Sequence, residues 1–517
     1  MKLLVSLTLL AIAPFAALGS ASTLTSTSTS SAAISIPFTY VNVTASERCA
    51  CAKLTRSFGS SVIYPGQTNY TYQTVDSYWD IRADLSPACV FVPETASDVA
   101  SAVGIFSSCD AKFAIRGGGH MNFPGSNNID GGVLLGLNLL TNTTFHESKN
   151  TISVGPGLTW YDVYNALAPY GRAAIGGRMK TIGVPGLTLI GGFHYFNNKY
   201  GYAMDNVVSY DVVLGNGTFV TASRSSHPEL FWALKGGANN FGVVTRFELA
   251  TFHVPTVTST IQVFNESSIP AFIGAMCVSA RADGDQEDLV AAGMIATVSY
   301  NATTKIAYAS LMGLQEGASL PPSEFSGFND IPAMQRIHNV TTLKEWASLL
   351  DTPKQMFRIM FSHRTIKPDP EALISIYEAW KAAVDEIADV EGLEPTFVLN
   401  EITPSSLRVA QKNGVGNVWG LEPEPLMIWQ FSTGWANAAD DERMQTWSQE
   451  LTERLHVINQ EKGIASEFVY MGDAGEWQDP FLGFPEENLQ RLKDVRDKYD
   501  PLGVFVKLND GGFKLRI

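Results

Sequence analysis

One stretch decides the fold: Ala111-Lys-Phe-Ala-Ile-Arg-Gly-Gly-Gly-His-Met-Asn-Phe-Pro-Gly125. The apolar run before Arg116 predicts a strand that ends at three consecutive glycines, and His120 follows them directly. Glycine lets a backbone approach a ligand closely, and successive N–H groups in such a turn can bind an anion. Arg116 places a cation beside the turn. The stretch therefore predicts a ligand-binding turn after a buried strand.

Short strands and helices alternate around this turn. Thr95 followed by Asp98 has the spacing of a helix capping box. A turn at Gly215-Asn-Gly between two apolar runs predicts a hairpin. Proline directly after His227 is typical of a helix start. The sequence therefore predicts the α+β class.

The texture changes near residue 255, where glycine becomes rarer. Longer amphipathic helices are predicted over 370–390 and 440–458. Strands are predicted between and around them, over 355–361, 396–400 and 426–431. Because 517 residues exceed one compact core, two domains are expected.

The first residues indicate secretion. Residues 1–19 have the charge at Lys2 and the short apolar core of a signal peptide, and Pro14 argues against a membrane anchor. A low-complexity Ser/Thr segment follows over 20–39. N-glycans are predicted from Asn-x-Ser/Thr sequons at Asn42, Asn69, Asn142, Asn216, Asn265, Asn301 and Asn339. We expect a secreted glycoprotein without a membrane anchor.

The cysteines agree with an oxidising compartment. Cys49, Cys51, Cys89 and Cys109 precede the glycine turn, which allows disulfides whose connectivity the spacing leaves open. Cys277 is expected to be unpaired. A metal site at Cys49 and Cys51 has no matching His/Cys cluster, so no metal is predicted.

Charge and missing motifs exclude several functions. The formal net charge of −15 and the lack of a basic run argue against a nucleic-acid partner. The Rossmann fingerprint, the phosphate loop, the zinc-protease helix and the hydrolase elbow are all missing. Several glycine turns in the first half suit a long ligand with a pyrophosphate, or are ordinary turns of a strand-rich domain. The spacing alone does not separate these two interpretations.

Several motifs together resemble the berberine-bridge-enzyme-like FAD-dependent oxidases of the vanillyl-alcohol-oxidase superfamily, in their secreted fungal form. The resemblance runs from about residue 49 to the end. It rests on motifs at 113–120, 128–132, 176–189, 200–207, 230–242 and 499–515.

The resemblance implies a two-domain fold. A PCMH-type FAD-binding domain is expected over 40–254, with its core at about 84–252. A substrate domain with an antiparallel sheet covered by helices is expected over 255–465, and a tail over 466–517 returns to the first domain. The resemblance also suggests a disulfide between Cys51, or Cys49, and Cys109.

The resemblance further implies how FAD is held. His120 stands where the family binds the flavin ring covalently. The other residues expected to contact FAD are Arg116, Gly117, Gly118, Gly119, Gly125, Ser126, Gly183, Val184, Gly186, Leu187, Thr188, Gly191, Gly192, Asn240, Gly242, Val243 and Val244.

Differences from the family's usual residues bear on how the flavin is attached and on which substrate is expected. Some members carry a second flavin bond from a cysteine, but the segment 176–186 has none here, so a single attachment through His120 is expected. Doubly attached members tend to oxidise oligosaccharides, which favours a small organic substrate, from secondary metabolism, for this chain. Pro185 and Ile190 also replace usual glycines.

The implied reaction is hydride transfer from substrate to FAD, followed by reoxidation by O2 to hydrogen peroxide. A base must take the accompanying proton. Tyr470, Asp473, Glu401 and His194 are the candidates, although each also suits a structural role. A carbohydrate oxidase and a non-redox glycosylated binding protein remain as alternatives.

Overall fold

The computed structural model describes residues 43–285, 287–352, 354–355 and 357–516. The predicted signal peptide, the low-complexity segment and the sequon at Asn42 lie outside these residues. Helices and strands are interspersed along the described chain, which confirms the α+β class. Among the described residues, no helix is both long and apolar enough to cross a membrane.

A four-stranded sheet carries the glycine turn. Its strand order is β1-β2-β4-β3, and the last three strands are parallel. The helix between β2 and β3 begins at Ala96, and Thr95 before it forms the predicted capping box, in which the Asp98 N–H donates to the Thr95 hydroxyl. The elements are α1 (Ala45–Phe58), β1 (Val62–Ile63), β2 (Cys89–Phe91), α2 (Ala96–Cys109), β3 (Phe113–Arg116) and β4 (Val133–Gly136).

Two disulfides fasten α1 to α2 and to this sheet. Cys49 is bonded to Cys109 at the end of α2, and Cys51 is bonded to Cys89 in β2. Of the two partners suggested for Cys109, Cys49 is therefore the correct one. Cys277 is free and buried, as expected.

A five-stranded antiparallel sheet follows, with the order β5-β6-β10-β8-β9. The predicted hairpin at Gly215 joins β8 and β9, and the helix predicted after His227 begins at Pro228. The elements are β5 (Thr143–His146), β6 (Thr151–Val154), α3 (Trp160–Leu167), β7 (Arg172–Ala173), α4 (Val184–Leu189), α5 (Asn197–Tyr200), β8 (Val207–Val213), β9 (Phe219–Ser223), α6 (Pro228–Ala233), β10 (Val243–Ala250) and β11 (Phe252–His253).

An eight-stranded antiparallel sheet dominates the rest of the chain, with the order β15-β12-β14-β13-β17-β18-β16-β19. Its strands are β12 (Val257–Asn265), β13 (Ala292–Asn301), β14 (Ile306–Glu316), β15 (Gln335–Thr341), β16 (Arg358–Ile366), β17 (Glu394–Ile402), β18 (Leu426–Trp435) and β19 (Ala465–Ser466). Its helices are α7 (Ile269–Ala280), α8 (Ser326–Asn329), α9 (Leu343–Leu349), α10 (Pro370–Asp385), α11 (Pro404–Lys412) and α12 (Asp441–Glu461).

Helices cover one face of this sheet. Phe272 of α7 and Trp380 of α10 pack with Phe397 and Phe431 of the central strands in one apolar core. The strand predicted over 355–361 begins and ends later in the structure. It is β16, which pairs with β18 from Arg358 through Ile366.

The helix predicted over 370–390 ends at Asp385. Apolar residues continue at helical spacing beyond Asp385, because Ile387 and Val390 lie in the following turn and are buried in one cluster with Trp435. Burial thus maintains the helical pattern of the sequence where the backbone is no longer helical.

The last α-helix of the described residues is α13 (Glu486–Tyr499), and the segment after it packs on the first half of the chain. The rings of Phe513 and Phe123 lie 5.3 Å apart, edge to face. The Leu515 N–H donates to Asn240 Oδ1 over 3.0 Å. The C-terminal segment thus packs on parts of the chain that are remote in sequence.

The Cys49–Cys109 disulfide closes a loop with a sequence separation of 60 residues. A Cys49→Ser/Cys109→Ser double variant should lose about 4 kcal/mol of stability on the chain-entropy estimate. The expected result is a lower melting temperature in near-ultraviolet circular dichroism. Mild reduction with dithiothreitol serves as the control and should lower the wild-type value further than that of the variant. An unchanged melting temperature in the double variant would contradict a stabilising role.

Candidate active site

A cavity of about 510 Å³ lies between the glycine-rich loops of the first half and the eight-stranded sheet. Its volume is within the range of about 300–1,000 Å³ that is usual for small-molecule sites. The loop side includes residues 117–120, 183 and 185–187. The sheet side presents alternate residues of β13, β16, β17 and β18, namely Ile295, Thr297, Ile359, Phe361, Glu394, Thr396, Val398, Asn400, Gln430 and Ser432.

The three glycines of the turn allow two loops to touch through their backbones. A Cβ atom on Gly118 would lie 2.4 Å from the Gly183 nitrogen, and one on Gly117 would lie 2.5 Å from Pro185 Cγ. Gly119 has a φ of +69°, and a Cβ there would lie 2.2 Å from the Ser77 carbonyl oxygen. Any side chain would therefore separate the loops. The glycines are required for this packing, whatever ligand the turn binds.

His120 leaves this turn and faces the cavity. Its Nε2 lies 2.8 Å from the Thr181 hydroxyl, and its ring stacks on Trp79 with centroids 5.6 Å apart. Burial, together with nearby Lys354, lowers the pKa of His120 to about 3. The imidazole is therefore neutral at physiological pH. Among the described residues Nδ1 has no hydrogen-bond partner, so it remains available to a ligand.

Arg116 does not line the cavity, although it was expected to stand beside the cofactor. Its guanidinium is buried and donates to the carbonyl and side-chain oxygens of Gln73 and to Asn138 Oδ1. It also lies over the Tyr78 ring, 5.8 Å from the centroid. These contacts hold the end of β3 against its neighbours. The structure thus gives Arg116 a packing role.

The other residues expected to contact FAD fall into two groups. His120, Gly117, Gly118, Gly119, Ser126, Gly183, Gly186 and Leu187 line the cavity. The lining does not include Gly125, Val184, Thr188, Gly191, Gly192, Asn240, Gly242, Val243 and Val244. Some of the second group have clear packing roles: a Cβ on Gly191 would lie 2.1 Å from the Trp419 ring, and Asn240 binds the C-terminal segment.

The four candidate bases lie in two different cavities. Tyr470 and Asp473 line the main cavity. The Tyr470 ring packs edge to face on Phe193, 4.9 Å away. Burial raises the pKa of Asp473 to about 6, an effect that Arg178 opposes. These two residues thus share the cavity with His120.

His194 and Glu401 instead line a separate cavity of about 20 Å³. His194 Nδ1 accepts a hydrogen bond from the Phe196 N–H over 3.1 Å, and burial lowers the pKa of His194 to about 3. Glu401 follows Asn400 in β17, and successive strand residues point to opposite faces of a sheet. The structure therefore does not bring His194 or Glu401 to the main cavity.

The cavity fits a long, polar cofactor. Gly186 lines it, and a Cβ on this residue would meet nothing within 4 Å, so the backbone borders open space. Asn127 also lines it, and its buried Oδ1 has no hydrogen-bond partner among the described residues. A buried acceptor without a partner is costly, and a ligand N–H or O–H would satisfy it. FAD carries such donors along its length.

Known proteins support the same cofactor. A family model described as an FAD binding domain matches residues 87–223. The chain is 33% identical over 479 residues to "FAD-dependent monooxygenase prx3" of Penicillium roqueforti, covering 90% of this chain and 93% of that protein. It is 34% identical over 451 residues to "FAD-dependent monooxygenase tpcD" of Cochliobolus heterostrophus, covering 84% and 86%.

The chain belongs to the same family of FAD-dependent oxidoreductases as these fungal relatives. Among solved structures, a xylooligosaccharide oxidase from Myceliophthora thermophila superposes with a TM-score of 0.73 at 20% identity, over 92% of this chain and 100% of that one. At that identity the likeness shows the fold. The fold and the cofactor thus agree with the resemblance stated from the motifs.

The oxidoreductase also has cavity residues that the sequence analysis missed. Trp79 stacks on His120, and nothing in its sequence context marked it. Arg178 lies in the second glycine segment and donates to Met294 O over 3.1 Å and Asn400 Oδ1 over 3.0 Å. Glu394 opens β17, and only the alternation of that strand could have indicated its direction.

Two glycines of the oxidoreductase test the loop contact as a matched pair. Gly118→Ala would force its Cβ against the Gly183 backbone, so we expect a loss of about 1–3 kcal/mol and most of the bound flavin. Gly186→Ala has free space around its Cβ and should leave the melting temperature unchanged. Flavin content and thermal melting measure both effects. A Gly118→Ala protein with wild-type flavin content and melting temperature would contradict the packing argument.

Proposed function

We propose that this FAD-linked enzyme is an oxidase of a small organic substrate, of the kind found in secondary metabolism. The observation that carries the proposal is the neutral His120 imidazole at the wall of a cavity that also presents the apolar side chains of Trp79, Ile359 and Phe361. Bound FAD would accept the hydride and pass its electrons to O2, with hydrogen peroxide as the product. His120 would anchor the cofactor, and Tyr470 and Asp473, which line the same cavity, would be available to a substrate.

We also propose that His120 carries the flavin as its single covalent attachment. A neutral imidazole has a nucleophilic nitrogen, and Nδ1 has no protein partner among the described residues. His120 would lose its N–H proton and the ring methyl group would lose one hydrogen as the N–C bond forms. The two protons and two electrons released would pass to O2 and give hydrogen peroxide. No cysteine occurs between residues 176 and 186 to add a second bond.

The carbohydrate alternative has some support. The fold is shared with a xylooligosaccharide oxidase. However, Trp79, Ile359, Phe361 and Ile295 give this cavity broad apolar surface. That surface favours a less polar substrate. A non-redox binding protein would purify without bound flavin.

Secretion and N-glycosylation belong to the same proposal. The disulfides within the described residues suit an oxidising compartment. The asparagines of all described sequons are exposed, which leaves them accessible to glycan addition: Asn69, Asn142, Asn216, Asn265, Asn301 and Asn339.

The attachment is tested by acid precipitation of the purified protein. We expect the flavin absorbance to remain in the wild-type pellet, and to appear in the supernatant or be lost for His120→Ala. Thr181→Val is the matched variant, because it removes the hydroxyl beside Nε2 but keeps the imidazole, so flavin should stay in its pellet. A colourless wild-type protein would contradict the whole proposal, and a yellow His120→Ala pellet would contradict the attachment site.

The oxidase chemistry is tested without knowing the substrate. The flavin is reduced photochemically under anaerobic conditions and then mixed with aerated buffer. We expect rapid reoxidation with one hydrogen peroxide formed per flavin, measured by a peroxidase-coupled dye. Reduced flavin that persists in air would contradict an oxidase. Label from isotopic dioxygen in a turnover product would instead indicate the monooxygenase chemistry that the fungal relatives' names describe.

A further inference from the structure

A polar patch lies on the sheet wall of the main cavity. In the register of β17 and β18, Thr396 is opposite Ser432 and Val398 is opposite Gln430. Glu394 is two residues from Thr396 and therefore shares its face. All of these residues line the cavity. The side chains of Glu394, Thr396, Gln430 and Ser432 have no hydrogen-bond partner among the described residues.

Glu394 is the charged member of this patch. Its strand partner is Gly434, which has no side chain, and Phe357 flanks the same site. The nearest cation along β16 is Arg358, which is bound to Asp441. Burial raises the pKa of Glu394 to about 7. An unpaired carboxyl in such a setting is satisfied when a ligand donates a hydrogen bond to it.

The other titratable groups facing the cavity are differently placed. Arg178 is held by Asn400 and Met294, and Asp473 lies within its electrostatic influence. Burial raises the pKa of Tyr470 well above its usual value, so the phenol is protonated at neutral pH. Among the described lining residues, Glu394 is thus the carboxyl without a neighbouring cation.

The surroundings of the patch define what it can bind. Trp79, Ile359 and Phe361 line the cavity around it, and Trp79 packs on Phe361 with centroids 5.5 Å apart. A hydroxyl group on a largely apolar carbon skeleton would satisfy both features.

We propose that Glu394 receives the hydroxyl proton of an alcohol substrate with an apolar skeleton. The O–H bond breaks with its proton going to a Glu394 carboxylate oxygen, while the carbinol C–H hydride goes to the flavin and a C=O bond forms. Dioxygen takes up the two electrons and two protons, including the one that Glu394 releases, and leaves as hydrogen peroxide. This step rests on the proposed oxidase function.

The test is anaerobic stopped-flow reduction of the holoenzyme by cinnamyl alcohol, 4-methoxybenzyl alcohol and geraniol. For an active alcohol, Glu394→Gln should lower the limiting reduction rate by about 10²–10⁴-fold. The dissociation constant of its methyl ether, followed by flavin absorbance, should change less than about threefold, because the ether has no proton to donate. Glu391→Gln changes an exposed glutamate three positions away and is the matched control, with a wild-type rate expected.

The pH profile provides a second readout. A carboxylate base must be deprotonated, so the wild-type rate should rise with pH through a transition near 7, and Glu394→Gln should lack that transition. Because a truncated side chain can disturb packing, Glu394→Ala is also assayed with added formate, which supplies a carboxylate. Formate should raise the reduction rate of this variant at least tenfold.

Three results would overturn the proposal. They are a Glu394→Gln rate within threefold of wild type, a pH transition that disappears in Asp473→Asn instead, and reduction by none of the three alcohols. Protein that lacks flavin altogether would mark failure of the proposed oxidase function, which the acid-precipitation test separates from failure of Glu394.

Discussion

The backbone contact between Gly118 and Gly183 is the constraint on which the site depends. Two loops from distant parts of the first half meet there with no side chain between them. This contact brings the residue after the first loop, His120, to Thr181 just before the second. Trp79 stacks on the imidazole, and the ring lines the cavity. A small steric requirement thus helps to position the His120 ring.

The rest of the cavity is built from parts that are remote in sequence. The eight-stranded sheet supplies the facing wall through alternate residues of four strands, and the segment after α13 closes the loop side through Phe513 and Asn240. The two walls differ in character: the loop wall presents backbone and small side chains, and the sheet wall presents larger polar and apolar side chains.

The local structure and the cofactor could be predicted from the sequence. The capping box at Thr95, the hairpin at Gly215 and the α+β class follow from short-range patterns, and the motifs correctly indicated FAD. Contacts between residues that are distant in the sequence could not be predicted from it. The partners of Arg116 are Gln73 and Asn138, which only the fold brings to it, and the pairing of Cys109 with Cys49 depends on how α1 docks.

The alternation of side chains along a strand explains why Glu401 was wrongly expected in the cavity and Glu394 was missed. Glu401 is one residue beyond Asn400, and that single step moves its side chain away from the cavity, whereas Glu394 shares the face of Asn400. Family motifs cannot show this, because they identify a strand without its register. The site on the sheet therefore needed the structure.

The central claim is that His120 is held neutral at the cavity wall and carries the flavin. Peptide mass spectrometry of the proteolysed holoprotein tests it most directly. The account predicts that the peptide containing His120 carries the mass of FAD and that fragmentation places this mass on the imidazole. An unmodified His120 peptide from yellow protein, or the flavin mass on any other residue, would contradict the claim.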